Sequence, residues 1–137
     1  LDDAERDDRR GESAAALEGY LSAIGWYRGP FLEDLTLDAA DELERDRLRS
    51  RYVRAAIRAG ALLLAIGRVE EAQRLAVAAQ AADPWSDRAL HLQAECYLAV
   101  GDRAAARRAQ RRAEDLAEEL GLPSTAESDR LARVVLN

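Results

Sequence analysis

Lysine and methionine are absent from this 137-residue chain, and cysteine, histidine, phenylalanine and asparagine occur once each. Without lysine there can be no phosphate-loop lysine, no Schiff base and no Ser-Lys dyad. A single Cys96 cannot close an internal disulfide, and one cysteine with one histidine cannot build a structural zinc site. A reducing, cytoplasmic setting is expected, with no metal or other cofactor. No apolar run approaches the roughly 18 residues that cross a bilayer, and Leu1-Asp2-Asp3 is the reverse of a cationic signal peptide. Because the chain does not start with Met, it is expected to be a piece of a longer protein. Period-two alternation is also missing, which predicts no sheet. Positive charge is in deficit: the net charge is −6 and the isoelectric point about 4.9. A duplex DNA surface, which needs a clustered positive field, is therefore not the first partner to expect. At 15.1 kDa one domain can bury about two-thirds of the surface its unfolded chain exposes.

What is present is one helical hairpin written twice between Arg54 and Leu120. Leu63, Gly67, Ala72 and Ala79 recur as Tyr97, Gly101, Ala106 and Ala113, each 34 residues on, the period of the tetratricopeptide repeat. The small residues let antiparallel helices approach closely, and glycine supplies the left-handed turn between them. Gly11, Ala16 and Ala23 start the same register a third time, so a second helix is predicted over Ser13 to Tyr27, its first helix mostly missing. The Gly11 to Gly67 interval exceeds the period by 22 residues, an insertion broken at Gly29-Pro30. Behind it, Asp38 is a plausible N-cap for one long helix. Ala40, Leu43, Leu48, Tyr52, Ala55, Ala59, Leu62, Leu63 and Ile66 recur along it at three- and four-residue steps. Further helices are predicted over Val69 to Ala82, Ser86 to Val100, Arg103 to Leu120 and Ala126 to Leu136, the last capped by Ser124-Thr125. Residues 1–10, almost wholly charged, are expected to be frayed or loosely helical, leaving 11–137 as the domain. The fold class is all-α, a tetratricopeptide-like stack of about three antiparallel helical hairpins plus a C-terminal closing helix.

Four blocks of residues resemble a known family. They are WYRGPFLEDL (Trp26 to Leu35), the acidic helix Glu42 to Arg49, the repeat Gly67 to Pro84 and the tail Leu116 to Leu136. Together they are similar to the bacterial transcriptional activator domain of actinomycete antibiotic regulatory proteins. The resemblance implies an all-helical domain that follows a winged helix-turn-helix and serves transcription control. It would do so by dimerisation, by contact with the transcription machinery or by relay from a sensor. No strand pattern or basic recognition helix precedes Gly11, so DNA contact would belong to an upstream domain absent here.

The repeat register also picks out candidate site residues. The concave face belongs to the first helix of each hairpin, which places Arg54 and Arg58 there from one repeat and Arg88, His91 and Glu95 from the next. Arg54 and Arg58, one turn apart, can meet an acidic peptide or a C-terminal carboxylate. The simpler reading has them solvated or paired with neighbours such as Glu95. His91 has no catalytic company, and Cys96 reads as a packed, inert thiol. Arg103, Arg107, Arg108, Arg111 and Arg112 read as a solvated convex face. Trp26, Tyr27 and Phe31, with Trp85, are expected to wedge between hairpins, or alternatively to anchor a partner. No nucleophile–base pair, carboxylate pair or metal set occurs, so no enzyme is expected. The function expected is a protein-interaction domain of a transcription regulator. The alternative is a stand-alone repeat adaptor holding an acidic peptide in its groove, and a homodimer through the Gly11 to Phe31 end is a further expectation.

Overall fold

The computed structural model describes residues 2–9, 11–28 and 42–121. Six helices occur among them: α1 (Asp2–Arg9), α2 (Ser13–Arg28), α3 (Glu42–Ala65), α4 (Val69–Ala82), α5 (Asp87–Ala99) and α6 (Arg103–Glu119). No strand is present among the described residues. Each helix packs on the next in chain order, and α3 also touches α5. That nearest-neighbour arrangement is the tetratricopeptide-like stack that the 34-residue period predicts.

The turns within the hairpins are built alike. Gly11, Gly67 and Gly101 have φ of 76°, 84° and 81°, the left-handed region that favours glycine. At each, the residue after glycine donates its backbone N–H across five residues: Glu12 to Asp7, Arg68 to Leu63 and Asp102 to Tyr97, all at 2.9 Å. This is the bond that closes a helix by a Schellman turn. Next-helix starts are capped where the sequence supplies an acceptor. The Ser86 hydroxyl accepts from Ala89 N–H at 3.2 Å and the Asp102 carboxylate from Ala105 N–H at 3.0 Å.

The identical Gly11 turn shows that the first hairpin has its first helix after all. Residues 1–10, expected to be frayed or loosely helical, contribute α1, and Ala4 is 1% exposed against α2. Ala4 lies seven residues before Gly11, as Gly60 lies before Gly67 and Ala94 before Gly101. The fit is close: a Cβ added at Gly19 of α2 would stand 2.8 Å from the Ala4 Cβ.

Alanines form most of the interior. Ala16, Ala55, Ala59, Ala72, Ala79 and Ala106 are each 0% exposed, with Leu63 and Leu90 filling between them. A side-chain bond from Gln93 Nε2 to Gln80 Oε1, 2.6 Å, ties α5 to α4.

Two expected core positions are corrected. Leu43 and Ile66, placed on the buried stripe of the long helix, are 65% and 60% exposed. Subtracting the period from Asp87 gives residue 53, so α3 runs 11 residues (42–52) ahead of its repeat. Most of that extension is exposed. Ile66 sits past the last turn of α3, at the glycine turn. The proposed Asp38 cap, the Gly29-Pro30 break and the closing helix fall outside the described residues.

Candidate protein-binding surface

One face of α3 carries Arg47, Arg51, Arg54 and Arg58 at steps of four, three and four residues, the spacing that keeps side chains on one side of a helix. Opposite them α1 sets Asp2, Glu5 and Asp8 at steps of three. Arg51 Nη2 lies 3.8 Å from Asp2 Oδ1, and Arg54 Nη2 donates to Glu5 Oε1 at 3.2 Å. Arg58 grips Asp8 with two guanidinium nitrogens, Nε on Oδ2 and Nη2 on Oδ1 at 2.7 Å. The result is a three-rung carboxylate–arginine ladder between two first helices of adjacent hairpins.

Asp8 is the best-held rung. Its carboxylate also accepts from the Tyr20 hydroxyl at 3.1 Å. The Arg58 hydrogen bonds hold the Asp8 carboxyl below its ordinary range, against burial that would raise it, and raise Arg58 in turn. Burial, with the Asp8 carboxylate beside it, pushes the Tyr20 phenol up to about 12, so Tyr20 remains a donor at any physiological pH.

Beside the ladder lies a groove of about 360 Å³ lined by Asp8, Tyr20, Arg54, Arg58, Ser86 and Arg88 among others. Arg54, Arg58 and Arg88 all line this groove. His91 and Glu95 are not part of that lining. His91 is 5% exposed, its Nδ1 has no hydrogen-bond partner and its Nε2 lies 3.9 Å from Asp87 Oδ2. It occupies the place that Ile57 holds one repeat earlier, a packing position. Glu95 is half-buried on the same helix.

The sequence alone leaves Arg54 and Arg58 solvated, paired with neighbours such as Glu95, or holding an acidic ligand, and does not point to the carboxylates of the ladder. The missing signal is the Ala4–Gly11 offset, which identifies α1 as a first helix and so places Asp2, Glu5 and Asp8 beside the next one.

Of the aromatic candidates, Trp26 and Tyr27 lie on α2 with side chains outside the description, and Phe31 lies outside the described residues. Trp85, expected in a wedge, is 57% exposed at the turn from α4 to α5, where its backbone N–H donates to Asp83 Oδ1 at 3.1 Å. Cys96 is buried and its thiol is pushed up to about 11 by burial, so it stays protonated at neutral pH. Among the described residues no three histidine, cysteine or carboxylate side chains cluster as metal ligands, and no helix is long and apolar enough to cross a membrane.

Compared with known families, the chain matches the model of the bacterial transcriptional activator domain over residues 1–136. It matches no curated protein and no solved structure.

Proposed function

Because the chain belongs to the bacterial transcriptional activator domain family, we propose that it is the protein-contacting arm of a cytoplasmic transcription regulator, joined to an upstream winged-helix domain that reads DNA. The observation that carries this reading is the family match over residues 1–136, which takes in α1 and the whole helical stack. The surface supports it. The stack offers a charged row on α3, a groove beside it and an exposed Trp85, features suited to holding a protein. The stand-alone adaptor reading is not favoured, because the family matched is a transcriptional activator domain.

The test tethers the full chain to an unrelated DNA-binding domain and measures transcription from a promoter carrying that domain's operator in a bacterial host. A several-fold rise over the DNA-binding domain alone is expected. A folded fusion, present at equal level, that leaves transcription unchanged would overturn the proposal.

A further inference from the structure

Helix α6 carries its charge in two blocks. Arg103, Arg107, Arg108, Arg111 and Arg112 come first, and Glu114, Asp115, Glu118 and Glu119 follow. The Asp102 cap apart, that order opposes the helix macrodipole, which favours carboxylates at the N-terminal end and arginines at the C-terminal end. Helix α4, which opens on Glu70 and Glu71, obeys the rule. The blocks of α6 also set like charges one turn apart, Arg108 beside Arg112 and Asp115 beside Glu119, and such pairs destabilise a helix. The stability of α6 itself therefore does not account for the pattern.

Arg108, Arg111, Asp115 and Glu118 follow one another at steps of three, four and three residues, so they form one stripe. All four are exposed, and none has an ion-pair partner among the described residues. A following helix does not cover this stripe in the repeat. Arg74, Val77 and Ala81 hold the matching positions on α4 and stay exposed although α5 comes next, and Glu18, Leu21 and Gly25 do the same on α2. The position faces outward on all three helices, and of the three α6 fills it with sorted charge of both signs.

Such a stripe is complementary to itself. Laid antiparallel on a second copy, about a two-fold axis level with Ala113, it sets Arg111 opposite Asp115 and Arg108 opposite Glu118, and the axis makes each pair twice. A DNA backbone would meet the arginines but be repelled by the carboxylates that follow within two turns.

We propose that the outward stripe of α6 is a contact between two copies of this chain, which lie antiparallel and pair through Arg111 with Asp115 and Arg108 with Glu118. Exposed ion pairs are individually weak, so the contact is reversible and sensitive to salt. It does not depend on the activator reading.

The test is sedimentation equilibrium of the concentrated full chain at low ionic strength, where exposed charges are least screened. The parent is expected to show a monomer–dimer equilibrium that about 1 M salt abolishes. Arg108→Glu with Arg111→Glu, or Asp115→Arg with Glu118→Arg, sets like charges opposite one another, and each is expected to weaken the dimer by about ten-fold or more. Mixing the two substituted chains restores association, because an all-acidic stripe then meets an all-basic one. All four substitutions in one chain restore it too, since the reversed order is again complementary to itself. Should a charge-reversed chain lose its helical circular dichroism, Arg108→Gln with Arg111→Gln and, separately, Asp115→Asn with Glu118→Gln remove the same charges, and each is expected to weaken the dimer. A parent that remains monomeric, or a folded chain with all four substitutions that fails to associate, overturns the proposal. So does a dimer indifferent to these substitutions, which would belong to another surface such as the Gly11 to Phe31 end. A monomeric parent that retards a DNA duplex through Arg108 and Arg111 overturns it in favour of a phosphate backbone.

Discussion

Asp8 concentrates more of the first hairpin's polar energy than any other side chain described: two nitrogens of Arg58 and the Tyr20 hydroxyl all donate to it. A two-pronged guanidinium contact is stronger than a single ion pair, but Arg58 is half-exposed, and solvent screening reduces its worth to about 1 kcal/mol. Asp8→Asn is expected to cost about that much. The pH dependence has a definite sign. Arg58 holds the Asp8 carboxyl down in the folded chain, so the stabilisation is fully present above the unfolded value of about 4 and disappears as pH falls through the lower folded value. Urea unfolding of parent and Asp8→Asn chains should therefore differ at neutral pH, and the gap should narrow as pH falls below the unfolded value of about 4. A gap that persists undiminished in acid would mean that the loss comes from packing around Tyr20 and not from the ionised pair.

At the scale of helices, the repeat register makes a matched pair of predictions. Ala72 on α4 and Ala106 on α6 occupy the same register position and are both 0% exposed. Leucine at either forces its helix off its partner, at roughly 1 to 3 kcal/mol by overpacking. Thermal unfolding should show both variants several degrees down; no loss in either would mean that the two hairpins do not pack as one unit repeated. This part of the fold was legible because glycine turns and alanine contacts are intrinsic to residue type and fall at one fixed lag. Helix α1 was not, because its packing is one alanine against one glycine, Ala4 on Gly19, which leaves no hydrophobic stripe in so charged a segment. The first eleven residues of α3 failed in the opposite sense. Leu43 keeps helical rhythm with the buried positions, but periodicity reports which side of a helix is apolar and not whether another element covers it. The candidate site divided in the same manner. The register brought Arg54, Arg58 and Arg88 to one groove, while the carboxylates that hold two of them depended on recognising α1 as a neighbour.

For the whole molecule, contacts that run mainly from each helix to the next imply stability summed from hairpins and their interfaces, so that an end unit opens without the rest. The first hairpin is the unit to watch, since α1 is held by Ala4 and by ion pairs to α3, whereas α5 buries Ala89, Leu90, Leu92, Ala94 and Cys96. Salt distinguishes the two kinds of hold. The screening length falls from about 10 Å at 0.1 M to about 3 Å at 1 M, which weakens exposed pairs such as Asp2–Arg51 and Glu5–Arg54 and leaves apolar burial intact. Hydrogen exchange followed by peptide mass should show α1 amides exchanging sooner than those of α5 at either salt concentration. Raising the salt from about 0.1 to 1 M should hasten α1 further and leave α5 unchanged or slowed. Exchange that is uniform from α1 to α6 would instead describe a single cooperative unit, with α1 bound into it as firmly as the later helices and no independent opening at the Gly11 turn.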